Sequence, residues 1–216
     1  ENAEKIYNEA LAFLKEVSNE YQIYLLGGSI PAPAPHGKIF NRSILFSPKG
    51  EILAKYDKIH LFDVDLPEGE SYRESDIVMP GKNGGVTYSD PKIGTIGLSV
   101  CYDLRFPELY RKLSEKKAEL LCIPSAFTVT TGKAHWHTLV KARAIENTCY
   151  VIAPAQTGTH GTNRNTFGHS LIIDPWGRTL AEADDNPGVT IADIDPKTIR
   201  EVRKQIPSLK HRVFNT

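Results

Sequence analysis

Apolar residues Ile6, Ala10, Phe13, Leu14 and Val17 recur at three- and four-residue intervals from Glu1 onward, the period of a helix with one apolar face. Neither an initiator Met nor a turn precedes this pattern, so it reads as a segment that begins inside a fold. Three runs rich in β-branched and aromatic residues follow at 21–30, 38–46 and 51–56, separated by Pro and Gly, and these predict strands. From 61 to 85 the chain is polar, punctuated by Pro and Gly, and without period, which predicts a long loop of the kind that shapes a site. Alternation then sets in: strand 93–100, helix 107–118, strand 119–123, helix 134–147, strand 149–155. That order is β-α-β-α-β with buried strands, the mark of an α/β fold. Pro107 suits a first helical position because it has no N–H to leave unpaired. A hairpin is predicted over 168–174 and 178–183 about Pro175-Trp176-Gly177, then a strand over 189–194 and a short helix from Pro196. Ser47-Pro48-Lys49-Gly50-Glu51 echoes Asp174-Pro175-Trp176-Gly177-Arg178, which suggests two similar hairpins. No linker-like segment divides residues 1–216, so they read as a single domain.

Composition narrows the function class. At 216 residues, with 40% hydrophobic and 24% charged side chains, the chain suits one soluble domain with a full core. Twenty-six basic residues balance 26 acidic ones, so no basic field attracts nucleic acid or an anionic membrane. Small, locally recognised ligands fit better. Apolar stretches fall short of the roughly 20 residues that a membrane span needs, and no leader pattern opens the chain. Cys101, Cys122 and Cys149 are an odd count without metal-ligand spacing, which favours free thiols and a reducing, cytoplasmic compartment.

Cys101 closes the apolar run 93–100 and opens Cys101-Tyr102-Asp103-Leu104-Arg105-Phe106-Pro107-Glu108. A thiol at a strand end can be a nucleophile, but it needs cationic neighbours or a base to raise its thiolate fraction. Lys58 ends another predicted strand and suits an oxyanion donor, and Glu74 in the long loop suits the role of orienting it. Arg105 suits bidentate capture of a carboxylate. From the residues alone, the bland readings stand beside these: a core thiol for Cys101, surface charges for Lys58 and Glu74, a structural ion pair for Arg105. His135 and His137 flank Trp136 two apart on a helix and point to different faces, so no metal site is expected.

Tyr56-Asp57-Lys58-Ile59-His60-Leu61-Phe62-Asp63, followed by the Cys101 segment, resembles the nitrilase (carbon-nitrogen hydrolase) superfamily. The likeness continues through Pro124-Ser125-Ala126-Phe127, Arg143-Ala144-Ile145-Glu146-Asn147 and Gly168-His169-Ser170, and covers nearly the whole chain. It implies a four-layer α-β-β-α sandwich and a Glu-Lys-Cys catalytic set in which Cys101 is the nucleophile, Lys58 the lysine and Glu74 the supporting glutamate. The general-base glutamate of that set lies well upstream of the lysine. Counting back from Lys58 passes Glu1, so no residue matches it and the first strand and helix of the fold are expected to be missing.

Within the superfamily the chain is most similar to the small amidases, the deaminated-glutathione amidases first and the omega-amidases of 2-oxoglutaramate second. The resemblance implies a small amide substrate, Tyr102, Arg105 and Phe127 in substrate binding, no cofactor, and a homodimer paired through the helix of His135 and Trp136. The implied reaction is attack of the Cys101 thiolate on an amide carbonyl, with Lys58 and the Tyr102 N–H holding the oxyanion, then hydrolysis of a thioester. General acid–base catalysis is worth about 10²- to 10⁴-fold, so a chain without the glutamate would be a feeble amidase or a non-catalytic binding relative. A cysteine protease is a third reading, and it would need His60 or His169 beside the thiol.

Overall fold

A computed structural model of the protein describes residues 2–161 and 164–214. The chain divides into two compact units, Glu1–Val86 and Thr87–Thr216.

In the first unit the predicted helix forms as α1 (Asn2–Glu20), while Glu1 itself lies outside the described residues. The strand expected over 21–30 is displaced and broken. Residues 25–33 make two short strands, β1 (Leu25–Leu26) and β2 (Ile30–Pro33), and both pair antiparallel with β3 (Ile39–Phe46). Their registers differ by one residue (Leu25↔Phe46, Ile30↔Arg42), and Gly28, at φ +66°, supplies the left-handed turn between them. β4 (Ile52–Asp57) also pairs with β3. Ile44, Leu45, Phe46 and Tyr56 are buried here, so this is the core of the unit.

The stretch 61–85 is more ordered than its polar composition predicts. It folds into a hairpin of β5 (Asp63–Asp65) and β6 (Ser71–Arg73), clipped by Arg73, whose Nη2 donates to both Asp65 oxygens at 2.8 and 2.9 Å. Past it, Glu74–Asp76 makes a single 3₁₀ turn, and the chain then runs beside Ile39 through Ile39 N–H to Ile77 O (3.1 Å) and Met79 N–H to Ile39 O (2.8 Å). Backbone pairing rather than side-chain periodicity orders this segment, which is why its pattern misled.

The second unit is built on a six-stranded sheet. Its strands are β7 (Thr87–Asp90), β8 (Gly94–Leu98), β9 (Leu120–Cys122), β10 (Tyr150–Ala153), β13 (Leu171–Ile173) and β14 (Thr179–Glu182), in the spatial order β14-β13-β10-β9-β8-β7. The three middle strands β8, β9 and β10 are parallel, as the alternation predicted, with α2 (Pro107–Glu115) and α3 (Val129–Asn147) as the crossovers. Pro107 opens α2 as expected. α3 starts at 129 rather than 134, because the Thr128 side chain caps it by accepting from Thr131 N–H at 3.2 Å. A separate hairpin joins β11 (Thr157–His160) to β12 (Arg164–Phe167). The predicted strand 189–194 does not form among the described residues, and Val189 and Ile191 are exposed. α4 (Pro196–Gln205) follows, capped by the Asp195 carboxylate, which accepts from Lys197 N–H at 2.8 Å.

The repeated sequence motif is a repeated turn. Ser47 N–H donates to Glu51 O (2.8 Å) and Gly50 N–H to Ser47 O (2.9 Å); Asp174 N–H donates to Arg178 O (2.9 Å) and Gly177 N–H to Asp174 O (2.9 Å). In both turns the first side chain accepts from two backbone N–H groups further on, Ser47 from Lys49 and Glu51, Asp174 from Trp176 and Arg178.

Candidate active site

The carboxyl ends of parallel strands are where an α/β sheet presents chemistry, and the second unit follows that rule. β8 ends at Leu98 and the chain runs on to Cys101, the first residue of a 3₁₀ turn, Cys101–Arg105. Cys101 sits at φ +50°, in the left-handed region that a side chain with a Cβ rarely occupies. Such strain persists only where the surroundings impose it. They do so here: Cys101 N–H donates to Pro124 O at 2.9 Å, and the Asp103 carboxylate, itself buried, accepts from Val100 N–H at 2.8 Å. The geometry turns the thiol off the end of the strand, as a nucleophile elbow does with a serine. From the segment that follows β9, Ala126 N–H donates to the Cys101 sulfur at 3.5 Å.

The other two thiols provide the contrast. Cys122, in β9, and Cys149 are buried, and burial pushes each thiol up to about 12. Both are core residues in chemistry as well as in place. Cys101 is only partly buried.

Of the residues expected to bind substrate, Tyr102, Arg105 and Phe127 are brought together. The Arg105 guanidinium lies 5.8 Å from the Tyr102 ring centroid and 5.6 Å from that of Phe127, within cation–π range of both. Its Nη2 also meets His135 Nδ1 at 3.3 Å. Phe127 in turn packs on Trp136 with centroids 4.9 Å apart. A cation is thereby held four residues after the thiol on an aromatic bed.

Lys58 and Glu74, in the first unit, are brought together as well. Lys58 follows β4 directly and is almost fully buried; its Nζ donates to Glu74 Oε2. Glu74 Oε2 also accepts from Phe62 N–H at 2.6 Å, and its Oε1 from Asn41 Nδ2 at 3.4 Å. A buried charge is tolerable only when paired and hydrogen-bonded, and this pair meets both conditions. The backbone at Lys58 is pinned between Asn41 O, which accepts its N–H at 3.0 Å, and Gly81 N–H, which donates to its carbonyl at 2.9 Å. Only glycine fits at 81, since a Cβ there would stand 2.8 Å from the Asp57 carbonyl carbon. An ammonium held this way is a fixed donor for developing negative charge.

One positioning residue carried no assigned role in the sequence. Arg143, buried on α3, donates through Nε (3.0 Å) and Nη2 (2.8 Å) to Leu104 O, inside the turn that starts at Cys101, and through Nη1 to Glu146 Oε1 (2.7 Å). Its planar fork grips one carbonyl twice, which a lysine cannot do. The signal available in the sequence was the motif Arg143-Ala144-Ile145-Glu146, whose i and i+3 charges share one helix face.

Comparison with known proteins places these features in a family. Residues 1–204 match the sequence profile of the family described as Carbon-nitrogen hydrolase. Over 216 residues the chain is 50% identical to a deaminated glutathione amidase of Synechocystis sp. (strain PCC 6803 / GT-S), covering 99% of this chain and 79% of that protein. It is 41% identical over 212 residues to the human omega-amidase NIT2, covering 98% of this chain and 76% of that protein. The crystal structure of the C. elegans NitFhit protein superposes with a TM-score of 0.91 at 38% identity, covering 98% of this chain and 52% of that longer one. The mixed α/β architecture is that of the nitrilase superfamily, and the chain belongs to the carbon-nitrogen hydrolase family.

Proposed function

We propose that the protein hydrolyses the terminal amide of a small carboxylic acid through a thioester on Cys101, with deaminated glutathione as its substrate. The observation that carries this reading is the backbone of Cys101, held left-handed at φ +50° at the end of β8 with the Ala126 N–H on its sulfur. A core thiol needs neither feature. In the proposed reaction the Cys101 thiolate attacks the amide carbonyl, and the oxyanion is stabilised by the Lys58 ammonium and the Tyr102 N–H. The C–N bond then breaks, the nitrogen leaves as ammonia after taking up a proton, and water hydrolyses the thioester to the acid and free thiol. Glu74, which accepts from Lys58 Nζ, keeps it aimed. Arg105, on its bed of Tyr102 and Phe127, receives the carboxylate of the substrate.

Deaminated glutathione is favoured over 2-oxoglutaramate because the 50%-identical relative carries the former activity in its name and the 41%-identical one is an omega-amidase. A cytoplasmic homodimer belongs to the same reading, supported by the family resemblance and the free thiols. Among the described residues no helix is long and apolar enough to cross a membrane. Ammonia release from the two amides, measured on the protein that carries this chain and on its Cys101→Ala variant, tests the proposal. Faster turnover of deaminated glutathione, abolished by the substitution, is expected. Preference for 2-oxoglutaramate would reassign the substrate, and release unchanged in Cys101→Ala would overturn the mechanism.

A further inference from the structure

The sequence sets His137 beside His135, two apart on a helix and useless as a ligand pair. In the fold its neighbours are different. His137 projects from α3, His169 from the turn before β13, and Glu182 from the end of β14, and one ligand atom from each lies within 4.8 Å of the others. His137 Nε2 stands 2.8 Å from Glu182 Oε1, and His169 Nδ1 stands 3.2 Å from the same oxygen. Residues 32 and 45 positions from His137 thus converge on one point.

We propose that His137, His169 and Glu182 form a binding site for a divalent transition-metal ion of the zinc class, separate from the thiol chemistry of Cys101. The donor set decides the class. Two imidazole nitrogens and one carboxylate oxygen suit Zn²⁺, Co²⁺ or Ni²⁺, whereas Mg²⁺ and Ca²⁺ take oxygen ligands. Spacing agrees: ligand atoms around a tetrahedral ion with bonds of about 2.0–2.1 Å stand roughly 3.3 Å apart. The two separations to Glu182, 2.8 and 3.2 Å, are close to that edge, so binding asks for small side-chain shifts.

The ligands are also held in advance. His169 takes the left-handed backbone (φ +58°), with its carbonyl accepting from Trp136 Nε1 at 2.7 Å and its N–H donating to Asp184 O at 3.1 Å. Its ring stacks on Phe167 at 4.3 Å between centroids, and the His137 ring meets Phe167 edge-on at 6.0 Å. All three ligand side chains are partly exposed, with relative exposures of 37%, 29% and 38%, so water can complete the coordination. In the metal-free arrangement the ring nitrogens share Glu182 Oε1 through hydrogen. As ligands, Nε2 of His137 and Nδ1 of His169 present lone pairs and each ring carries its proton on the other nitrogen, so a neutral imidazole gains and loses no proton overall. The ion ties α3 to the β13–β14 hairpin.

The test uses the chain stripped with EDTA, in a Cys101→Ala background so that the partly exposed thiol adds no ligand. Zn²⁺ titrated calorimetrically should bind with one equivalent per chain, and Co²⁺ should give the intense visible absorption of a four-coordinate nitrogen and oxygen site. His137→Gln, His169→Gln and Glu182→Gln should each weaken Zn²⁺ binding by at least the roughly 10- to 100-fold that even outer-shell losses cause, and His211→Gln should leave it unchanged. In the chain with all histidines intact, Zn²⁺ should shift the imidazole NMR signals of His137 and His169, a readout that does not depend on how well the variants fold. Equal affinity in the three variants, or imidazole signals of this pair that Zn²⁺ leaves unmoved, would show that the cluster is a hydrogen-bonded clip and overturn the proposal.

Discussion

Cys101 and Cys122 lie at the ends of neighbouring parallel strands, β8 and β9, and are opposite in character. Cys122 is still paired within the sheet, is buried, and has its thiol pushed up to about 12 by that burial. Cys101 stands three residues beyond the end of β8, partly exposed, on a left-handed backbone that Pro124 O, Asp103 and Arg143 hold in place through Cys101 N–H, Val100 N–H and Leu104 O. Both are small apolar-run cysteines in sequence. Leaving the strand is what separates the proposed nucleophile from the core residue, and the backbone, not the side chain, makes the difference.

The largest expected effect is on alkylation. A thiol near 12 is ionised to about one part in 10⁴ at pH 8. Iodoacetamide followed by peptide mapping should therefore label Cys101 on the order of 10³-fold faster than Cys122 or Cys149 in the folded protein, and equal rates would erase the distinction. Next comes the electrostatic support. Lys58→Met should lower kcat by about 10²- to 10³-fold, the usual loss for an oxyanion donor, while Cys122→Ala leaves kcat unchanged.

Arg143→Lys probes the turn alone. Loss of the double bond to Leu104 O should lower kcat about tenfold at unchanged KM, slow Cys101 alkylation in parallel, and destabilise the fold by about 1.5–3 kcal/mol, as lost hydrogen bonds to a charge do. A purely structural role would reduce the melting temperature without touching the alkylation rate. The smallest effect concerns pH. Cys122 and Cys149 are raised in the folded state from an unfolded value of 9.0, so their contribution to stability is complete below pH 9 and is lost as pH climbs toward about 12. Cys122→Ala with Cys149→Ala should flatten that alkaline limb of the denaturation curve, and an unchanged limb in the double variant would show that these thiols do not set it.

The regular elements were legible where side-chain period reports packing. Helix α1, strands β3 and β4 and the β8-to-β10 alternation follow the apolar pattern within a few residues. The β5–β6 hairpin was not, because backbone pairing and the Arg73–Asp65 clip hold polar residues that carry no apolar period. The strand expected over 189–194 failed for the opposite reason: Val189 and Ile191 alternate correctly, but no described strand pairs with them. For the site, Cys101, Lys58 and Arg105 were legible as chemistry-bearing residues at strand ends. The left-handed φ of Cys101 and the Ala126 contact were not, since they arise from partners 23 and 25 residues away. The same distance hid His137 from His169 and Glu182. Local spacing offered only His135, and the fold supplied the rest.

The central claim is that Cys101 carries the acyl group. Acid quench of the protein during turnover of deaminated glutathione, followed by mass mapping of the Cys101 peptide, measures it directly. The account predicts that this peptide gains the mass of the substrate acyl group, as a thioester that hydroxylamine removes. An unmodified Cys101 peptide during steady turnover, or the acyl mass on another residue, would contradict it.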